Sequence, residues 1–340
     1  MAAEPLKTLF HPFEAEALPL PNTGAEILFL GAEPSFPLPE GFDVKLSLVQ
    51  GFRTHFRALQ ASGYTITPRA QGSGYDMALV LAGRHRGQNE LRIAEAIDRV
   101  APGGLILVAG SKEDGIDSLR KRITKLVPLE GHLPKHHGVA FWFHQAGAQA
   151  AAALRAANTG LLVEGRYHTA PGMFSFDRVD AGSRLLAANL PKDLGGNVAD
   201  FCAGWGYLAS EILIRSSGLS GLDLYEADFE ALEAARLNVP KLDIRDAVEP
   251  RFIWTDLLKE VVERRYDAIV MNPPFHSGRA AEPDIGAGMI RAAAKALKPG
   301  GRLCMVANRQ LPYEPVLAAA FSSHAELARD GMFKVFSARR

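Results

Sequence analysis

The residues best placed for chemistry follow an apolar run that ends at Met271. The next four residues are Asn272, Pro273, Pro274 and Phe275. Each proline fixes its own φ and excludes the helical region for the residue before it, so the sequence predicts a stiff loop after a buried strand. The simplest alternative is a proline-stiffened strand end without a chemical role.

A stiff loop of this kind suits the activation of a planar exocyclic amine, whose lone pair is delocalised into its ring. The amide of Asn272 and the carbonyl of Pro273 are two acceptors aimed at one point. By accepting a hydrogen bond from each amine hydrogen, they favour a pyramidal nitrogen. This geometry stabilises the transition state in which the nitrogen takes a methyl group from sulfur. The ring of Phe275 offers a stacking face, worth about 1–3 kcal/mol per base. We therefore predict Asn272, Pro273 and Phe275 as catalytic residues.

A second candidate site is a glycine-rich turn between a predicted strand and a predicted helix. Its residues are Asp200, Phe201, Cys202, Ala203, Gly204, Trp205, Gly206 and Tyr207. Glycines let the backbone approach a ligand closely, and the helix N-terminus offers unpaired N–H groups. The spacing Gly204-x-Gly206-x-x-Ala209, with Glu226 20 residues beyond Gly206, also satisfies the dinucleotide fingerprint. The turn alone leaves NAD, S-adenosylmethionine and a purely structural role open.

Three acidic residues at successive predicted strand ends help to separate these interpretations. Asp200 directly before the turn suits a cationic ligand, such as the amino group of S-adenosylmethionine, and would repel a pyrophosphate. Glu226 is placed to bind two ribose hydroxyls and Asp256 to bind an adenine amine. Each acid is also explained as an N-cap of the next helix. Three acids on the carboxyl edge of one sheet, where open α/β sheets bind ligands, favour S-adenosylmethionine.

The elements that must position these residues alternate between strands and helices. The second half shows predicted strands at 197–202, 222–226, 252–256, 266–271 and 302–307, and helices at 207–215, 229–238 and 285–297. Alternation of this kind predicts a mostly parallel sheet with helices on both faces, and the continuous apolar strands agree.

The first half repeats the pattern, which indicates an internal duplication. Residues 75–81 mirror 266–271, and residues 101–109 mirror 298–307. An alanine-rich helix at 146–157 predicts a connection, so we place one domain at 1–150 and the other at 151–340. In the first half the turn at 31–34 lacks a second glycine, and nothing corresponds to the loop at Asn272. We predict that the first domain kept the fold and lost the cofactor.

Composition bounds the remaining possibilities. The 340 residues carry 38 basic and 38 acidic side chains, so any nucleic-acid contact must come from local patches. Two cysteines, and ten histidines without metal-binding spacing, predict a reducing cytoplasm and no bound metal. The apolar runs are too short for a membrane span, and the N-terminus lacks the pattern of a signal peptide.

The chain resembles the two-domain family of rRNA guanine-N2 methyltransferases, which are class I S-adenosylmethionine-dependent enzymes. The resemblance rests on residues 171–175, 180–186, 200–206, 272–278, 306–313 and 331–336. It implies two tandem Rossmann-like domains with mostly parallel seven-stranded sheets, the first degenerate. It also implies methyl transfer to the N2 amine of a guanine in ribosomal RNA, with small-subunit RNA favoured over large-subunit RNA.

The resemblance completes the predicted site. The predicted cofactor contacts are Asp200, Phe201, Cys202, Ala203, Gly204, Gly206, Tyr207, Glu226, Ala227, Asp256, Leu257 and Asn272. The first candidates for RNA contact are Arg184, His276, Arg309 and Lys334, and the first domain is expected to help hold RNA. The family turn reads Asp-x-Gly-Cys-Gly-x-Gly, so Cys202 stands where its first glycine is expected, and we expect a shifted cofactor geometry. The predicted protein is a monomer that acts on ribosomal RNA or an assembled subunit.

Three other functions remain open at this point. The same amine activation serves methyl transfer to a protein glutamine or an adenine amine. A non-catalytic RNA-binding or ribosome-assembly protein is suggested by the missing glycine at Cys202. A nicotinamide dehydrogenase rests only on the spacing from Gly204 to Ala209 and leaves the loop at Asn272 unexplained.

Overall fold

The computed structural model describes residues 4–145, 147–239, 248–274, 276–277, 280–281 and 283–340. The chain separates into two compact units. The N-terminal unit comprises Met1–Gly160 with Ala170–Gly172, and the C-terminal unit comprises Leu161–Thr169 with Met173–Arg340. No helix in the described residues is long and apolar enough to cross a membrane.

The N-terminal unit is a seven-stranded sheet in the order β3-β2-β1-β4-β5-β7-β6, with β7 antiparallel to both of its neighbours. Its elements are α1 (Glu4–Glu14), β1 (Glu26–Leu30), β2 (Lys45–Val49), α2 (Arg53–Ala61), β3 (Thr65–Thr67), β4 (Tyr75–Ala82), α3 (Arg86–Arg99), β5 (Val100–Ser111), α4 (Ile116–Ile123), β6 (Gly131–Lys135), β7 (Gly138–His144) and α5 (Ala148–Ala156).

The C-terminal unit repeats this architecture with the order β12-β11-β10-β13-β16-β18-β17. Its elements are β8 (Leu161–Val163), β9 (Tyr167–Thr169), α6 (Ala181–Ala188), β10 (Gly195–Phe201), α7 (Tyr207–Arg215), β11 (Gly218–Glu226), α8 (Phe229–Asn238), β12 (Arg251–Trp254), β13 (Tyr266–Met271), β14 (His276–Ser277), β15 (Ala280–Ala281), α9 (Pro283–Ala296), β16 (Leu297–Asn308), α10 (Glu314–Ala320), β17 (Ser323–Arg329) and β18 (Phe333–Arg339). The predicted fold of two mostly parallel seven-stranded sheets is confirmed.

Burial on both faces explains why the central strands are continuously apolar. In β13, Ile269 and Met271 pack into the cluster on one face, while Ala268 and Val270 pack into the cluster on the other. Side chains of a strand alternate between the two faces, so a strand covered by helices on both sides needs apolar residues at every position. The central strand β1 of the N-terminal unit follows the same rule.

The boundaries of several predicted elements differ from those observed, and two of these differences concern the candidate site. The strand predicted at 252–256 ends at Trp254, so Asp256 lies two residues beyond it in a turn. The strand predicted at 197–202 ends at Phe201, which leaves Cys202 as the first residue of the glycine-rich turn. A local sequence pattern predicts that an element exists more reliably than it predicts the residue at which the element ends.

Strand register makes the two units comparable position by position. In the C-terminal unit Phe201 lies opposite Tyr225 and Met271. In the N-terminal unit Leu30 lies opposite Val49 and Val80. These pairings define the equivalent residues on the two carboxyl edges.

Candidate active site

The predicted site residues meet at the carboxyl edge of the C-terminal sheet. Strands β10, β11, β12 and β13 run parallel and adjacent, so the residues that follow them emerge at one edge. The glycine-rich turn follows β10, Glu226 ends β11, Asp256 follows β12, and Asn272 follows β13. This edge is where open parallel sheets bind their ligands.

The glycine-rich turn depends on backbone conformations that favour glycine. Gly204 has φ +54°, and Gly206 has φ +90° as the N-cap residue of α7. A Cβ on Gly206 would lie 2.7 Å from Cγ2 of Val239, so the turn packs closely on α8 and its flanking residue. The N–H of Gly204 donates to Glu226 Oε2 over 2.7 Å. This hydrogen bond to the last residue of β11 stabilises the turn.

Cys202 adopts the left-handed conformation that a glycine at this position would take, with φ +60°. The backbone therefore keeps the path of a glycine-first turn, at a cost of about 1–2 kcal/mol for a residue with a Cβ. The turn therefore keeps the conformation that a glycine would give it, and the strain is confined to the backbone of Cys202.

This strain leads to a prediction about stability. Replacing Cys202 with glycine should leave the protein more stable than replacing it with alanine, by about 1 kcal/mol, because only glycine relieves the left-handed strain. In an ordinary strand or helix the order is reversed. Thermal and urea unfolding of the two variants measures the difference, and an alanine variant that equals or exceeds the glycine variant would contradict it.

Asp200 is fully buried, and neither of its carboxylate oxygens has a hydrogen-bond partner in the described residues. Burial raises the pKa of Asp200 well above its usual value, and the charge of Glu226 adds to the rise. The backbone N–H of Ala209 opposes the rise from close by, although it forms no hydrogen bond of normal geometry with the carboxylate. The N-cap interpretation does not apply here, because Gly206 is the N-cap residue of α7 and no side chain caps that helix. A buried acid without a partner suits a cationic ligand that brings its own donors.

Glu226 is also not the cap of the helix that follows it. That role belongs to Asp228, which accepts from the backbone N–H groups of Glu230 and Ala231. Besides the bond from Gly204, Glu226 Oε1 accepts from the N–H groups of Ala227 and Asp228, at 2.7 and 2.8 Å. Glu226 is half-buried, and burial raises its pKa above the usual value.

Asp256 forms a local turn, since its Oδ1 accepts from the N–H of Leu258 over 3.0 Å. This contact supports the structural interpretation of Asp256 more directly than those of Asp200 and Glu226. Leu257 beside it is buried. Phe201 and Ala203 are buried, while Cys202, Tyr207 and Ala227 are half-buried at the same edge.

Asn272 is half-buried, and both hydrogens of its side-chain amide are engaged. Nδ2 donates to Asp180 Oδ2 over 3.0 Å and to the hydroxyl of Ser183 over 2.9 Å. Pro273 is buried and Pro274 exposed, as expected for a rigid loop that leaves the sheet. Phe275 lies outside the described residues, so its predicted stacking role stays a prediction.

Three residues near the site were not predicted as site residues from the sequence. Asp180 and Ser183 contact Asn272, although they precede it by about 90 positions. Phe174 is 59% exposed, and its carbonyl accepts from the indole N–H of Trp205 in the glycine-rich turn over 2.9 Å. All three fall within the segments that carry the family resemblance, which was the one sequence signal available for them.

The four residues predicted to contact RNA differ in how available their charges are. Lys334 is only 5% exposed, and its ammonium group forms an ion pair with Glu314 at 2.5 Å. Arg184 is exposed and forms an ion pair with Glu164. Arg309 is exposed, and its backbone N–H donates to Met332. The side chain of His276 lies outside the described residues. Arg309 is thus the best placed of the three described side chains for contact with a phosphate.

The N-terminal unit has different side chains at each equivalent position. The strand register shows that Phe29 occupies the position equivalent to Asp200. In the same way Gln50 is equivalent to Glu226, and Leu81 is equivalent to Asn272. Phe29 and Leu81 are buried and apolar, and Gln50 Nε2 donates to the carbonyl of Ala32 in its own turn over 2.7 Å. The buried acid and the amide of the C-terminal site are therefore replaced by groups that serve the core.

No group of three or more potential metal-ligating side chains occurs in the described parts of the chain. The fold and the carboxyl-edge site, with a glycine-rich turn after the first central strand and an Asn-Pro-Pro loop after the next, define a class I methyltransferase. Residues 164–337 match the family model named methyltransferase small domain, and the chain belongs to this family.

Several relatives carry the name ribosomal RNA small subunit methyltransferase C. The Pectobacterium atrosepticum protein is 30% identical over 75% of this chain and 72% of its own length. The Psychromonas ingrahamii protein is 29% identical over 82% of this chain and 80% of its own length. The alignment with the Serratia proteamaculans protein, at 38% identity, spans half of this chain and 47% of that relative.

The fold of the whole chain matches a solved structure. A 16S rRNA N2 methyltransferase from T. thermophilus, in complex with AdoMet and guanosine, aligns with a TM-score of 0.79 over 99% of this chain and 92% of that one. The two sequences are 24% identical, so the match establishes the common two-unit fold.

Proposed function

We propose that this protein transfers a methyl group from S-adenosylmethionine to the exocyclic N2 amine of a guanine in small-subunit ribosomal RNA. The observation that carries the proposal is the side chain of Asn272, whose two amide hydrogens are both bonded within the protein. Its oxygen is thereby left as an acceptor at the edge where Asp200 and Glu226 also lie. The names and coverage of the relatives support the same substrate class.

The side chains at this edge fit a cationic methyl donor. The carboxylate of Asp200, which has no hydrogen-bond partner in the described part of the chain, offers two acceptors for an ammonium group. Glu226 lies at the end of the next strand, where a ribose would lie. A pyrophosphate at the glycine-rich turn would meet the buried carboxyl group of Asp200, which argues against a nicotinamide cofactor. When bound, S-adenosylmethionine supplies a methyl group activated by its sulfonium.

The reaction requires the protein to orient the amine and to stabilise the charge that develops on it. Asn272 Oδ1 accepts one hydrogen of the guanine amine, and the carbonyl of Pro273 accepts the other. These two bonds draw the nitrogen lone pair out of conjugation with the ring. With S-adenosylmethionine held by Asp200 and Glu226, its methyl group would pass to this nitrogen as the bond to sulfur breaks, and the methylated nitrogen would then lose its proton to solvent without a charged base. The guanine must be unstacked to reach Asn272.

In this proposal the N-terminal unit binds RNA and has no cofactor of its own. The apolar replacements Phe29 and Leu81 at its carboxyl edge support the second part. The protein then works as a cytoplasmic monomer without a metal, on ribosomal RNA or an assembled subunit. The left-handed conformation of Cys202, which a glycine would also take, supports a catalytic protein over a non-catalytic assembly protein.

Mass spectrometry of 16S rRNA nucleosides from cells that lack the gene tests the proposal. We expect one N2-methylguanosine to disappear, and to return with a plasmid that encodes the wild-type chain but not the Asn272→Ala variant. Unchanged 16S rRNA would contradict the assignment. Assays with labelled donor on total RNA, DNA and release factors separate guanine from adenine and protein glutamine as the acceptor.

A further inference from the structure

The amide of Asn272 is held in one orientation by two residues of a different segment. Its Nδ2 donates to Asp180 Oδ2 at 3.0 Å and to Ser183 Oγ at 2.9 Å. A carboxylate only accepts hydrogen bonds, so the nitrogen must face Asp180 and the oxygen must face away from it. The contact with Asp180 therefore excludes the flipped amide, in which Asn272 would present a donor to the substrate amine.

The two contacting residues are themselves rigidly placed. Asp180 is the N-cap of α6, where its Oδ2 accepts the backbone N–H of Ser183 over 2.8 Å. Ser183 is 8% exposed. Between them, a Cβ on Gly182 would lie 3.0 Å from the ring of Phe333, so the first turn of α6 packs directly against the start of β18. A fixed helix end thus sets the position of both acceptors.

The charge on Asp180 adds a second effect. A carboxylate that accepts from an amide N–H polarises the amide and increases the electron density on its oxygen. A stronger acceptor forms a stronger hydrogen bond with the substrate amine, and this bond strengthens further as the amine nitrogen becomes cationic.

We propose that Asp180 and Ser183 are positioning residues for methyl transfer, which fix the acceptor orientation of Asn272 and, in the case of Asp180, strengthen it. The inference rests on the proposed function for its catalytic consequence, but the orientation itself does not. The competing explanation is that Asp180 serves α6 alone as a helix cap, a role that affects stability and leaves the reaction unchanged.

Three variants separate these explanations. Asp180→Asn keeps an acceptor for Asn272 and a good N-cap but removes the charge, and we expect kcat to fall about 10-fold with little change in KM. Asp180→Ala removes the orienting acceptor, and we expect a loss of about 100-fold. Ser183→Ala leaves one amide hydrogen unbonded, with an expected loss of about 10-fold. None of the three should alter the affinity for S-adenosylmethionine.

The matched control lies at the other end of the same helix. Asn189 is the C-cap residue of α6, and its Nδ2 donates to the carbonyl of Leu185 over 2.9 Å, away from Asn272. Asn189→Ala and Asp180→Ala should each lower Tm by about 2–4 °C. Only Asp180→Ala should lower kcat. An equal fall in kcat for both would show that helix stability alone is responsible.

A double-mutant cycle and an NMR measurement complete the test. In an Asn272→Ala background, Asp180→Asn should have no further effect on kcat if it acts through Asn272, whereas a full additional 10-fold loss would overturn the inference. The side-chain amide resonance of Asn272, identified by its absence from Asn272→Ala, should shift in Asp180→Asn even without substrate. An unshifted resonance would refute the orientation whether or not the protein methylates rRNA, while a shift without rRNA methylation would refute only the proposed function.

Discussion

Replacing Asn272 with alanine should lower kcat for rRNA methylation about 100- to 1,000-fold. The variant loses an acceptor that is strongest in the transition state, and the loss of one such preorganised hydrogen-bonding group typically has this magnitude. The affinity for S-adenosylmethionine should stay within about twofold, because Asp200 and Glu226 hold the donor through separate contacts. Single-turnover kinetics with 16S rRNA or the small subunit, together with calorimetry of donor binding, measures both quantities.

The same experiment distinguishes a chemical role from a structural one. Asn189→Ala removes an amide of the same kind from the C-cap of α6 and should keep the wild-type rate. A wild-type rate for Asn272→Ala would refute the assignment of Asn272. A joint loss of rate and donor affinity would instead show that Asn272 acts mainly through its predicted contact with the donor, and the amine-activating role would have to be abandoned.

Asp200→Asn should have opposite effects on the free protein and on donor binding. The carboxyl of Asp200 is buried without a hydrogen-bond partner in the described residues, so its amide replacement removes a group that is costly to ionise. The affinity for S-adenosylmethionine should fall about 10- to 100-fold, because a buried hydrogen bond to a charged group is worth about 1.5–3 kcal/mol. Calorimetry of donor binding and thermal unfolding of the free protein measure the two effects.

The raised pKa of Asp200 determines how these effects depend on pH. Because the folded protein binds the Asp200 proton more tightly than the unfolded chain, this group's contribution to stability is complete below pH 3.8. It is then lost as pH rises through the raised pKa. The free wild-type protein should therefore lose stability relative to Asp200→Asn as pH increases. Glu226 and Asp228 leave a residual slope in the variant, since burial raises their pKa values too, that of Asp228 to about 7.

Donor binding carries the linked effect with the opposite sign. A cationic ligand selects the ionised carboxylate, so wild-type affinity should rise with pH and binding should release a proton from Asp200. Calorimetry in two buffers of different ionisation enthalpy detects this release, which should shrink in Asp200→Asn. An unchanged proton release in the variant would show that Asp200 does not contact the charged part of the donor.

Asp223 supplies a matched control within the same sheet. It is also fully buried, but Arg251 and Tyr266 donate to its carboxylate. Burial would raise the pKa of Asp223, yet these hydrogen bonds outweigh it and the pKa is lowered. Asp223→Asn should therefore destabilise the protein, most at pH values above the unfolded pKa, where Asp200→Asn should stabilise it. Equal effects of the two substitutions would contradict the distinction between a paired and an unpaired buried acid.

The sequence predicted features that depend on residues close together in the chain, and it did not predict features that depend on residues brought together by folding. The duplicated α/β fold was predictable because apolar continuity and turn residues act between near neighbours, and the same pattern occurs in both halves. The end of β12 was predicted two residues too late, because its last residues have no local stop signal. The burial of Lys334 was not visible either, since a lysine is normally exposed and its burial here depends on partners such as Glu314, which are brought to it by folding.

By itself the sequence determined the stiff loop after Met271, the glycine-rich turn and the strand-end acids, because proline, glycine and strand period constrain the backbone locally. Only the tertiary structure decided which way the amide of Asn272 faces and that Cys202 takes a left-handed conformation. It also decided that Asp200 has no hydrogen-bond partner among the described residues. Each of these depends on groups brought together by folding, such as Asp180 and Asn272, which no local pattern relates. The orientation of a side chain is set by its spatial neighbours, and those are chosen by the packing of the whole unit.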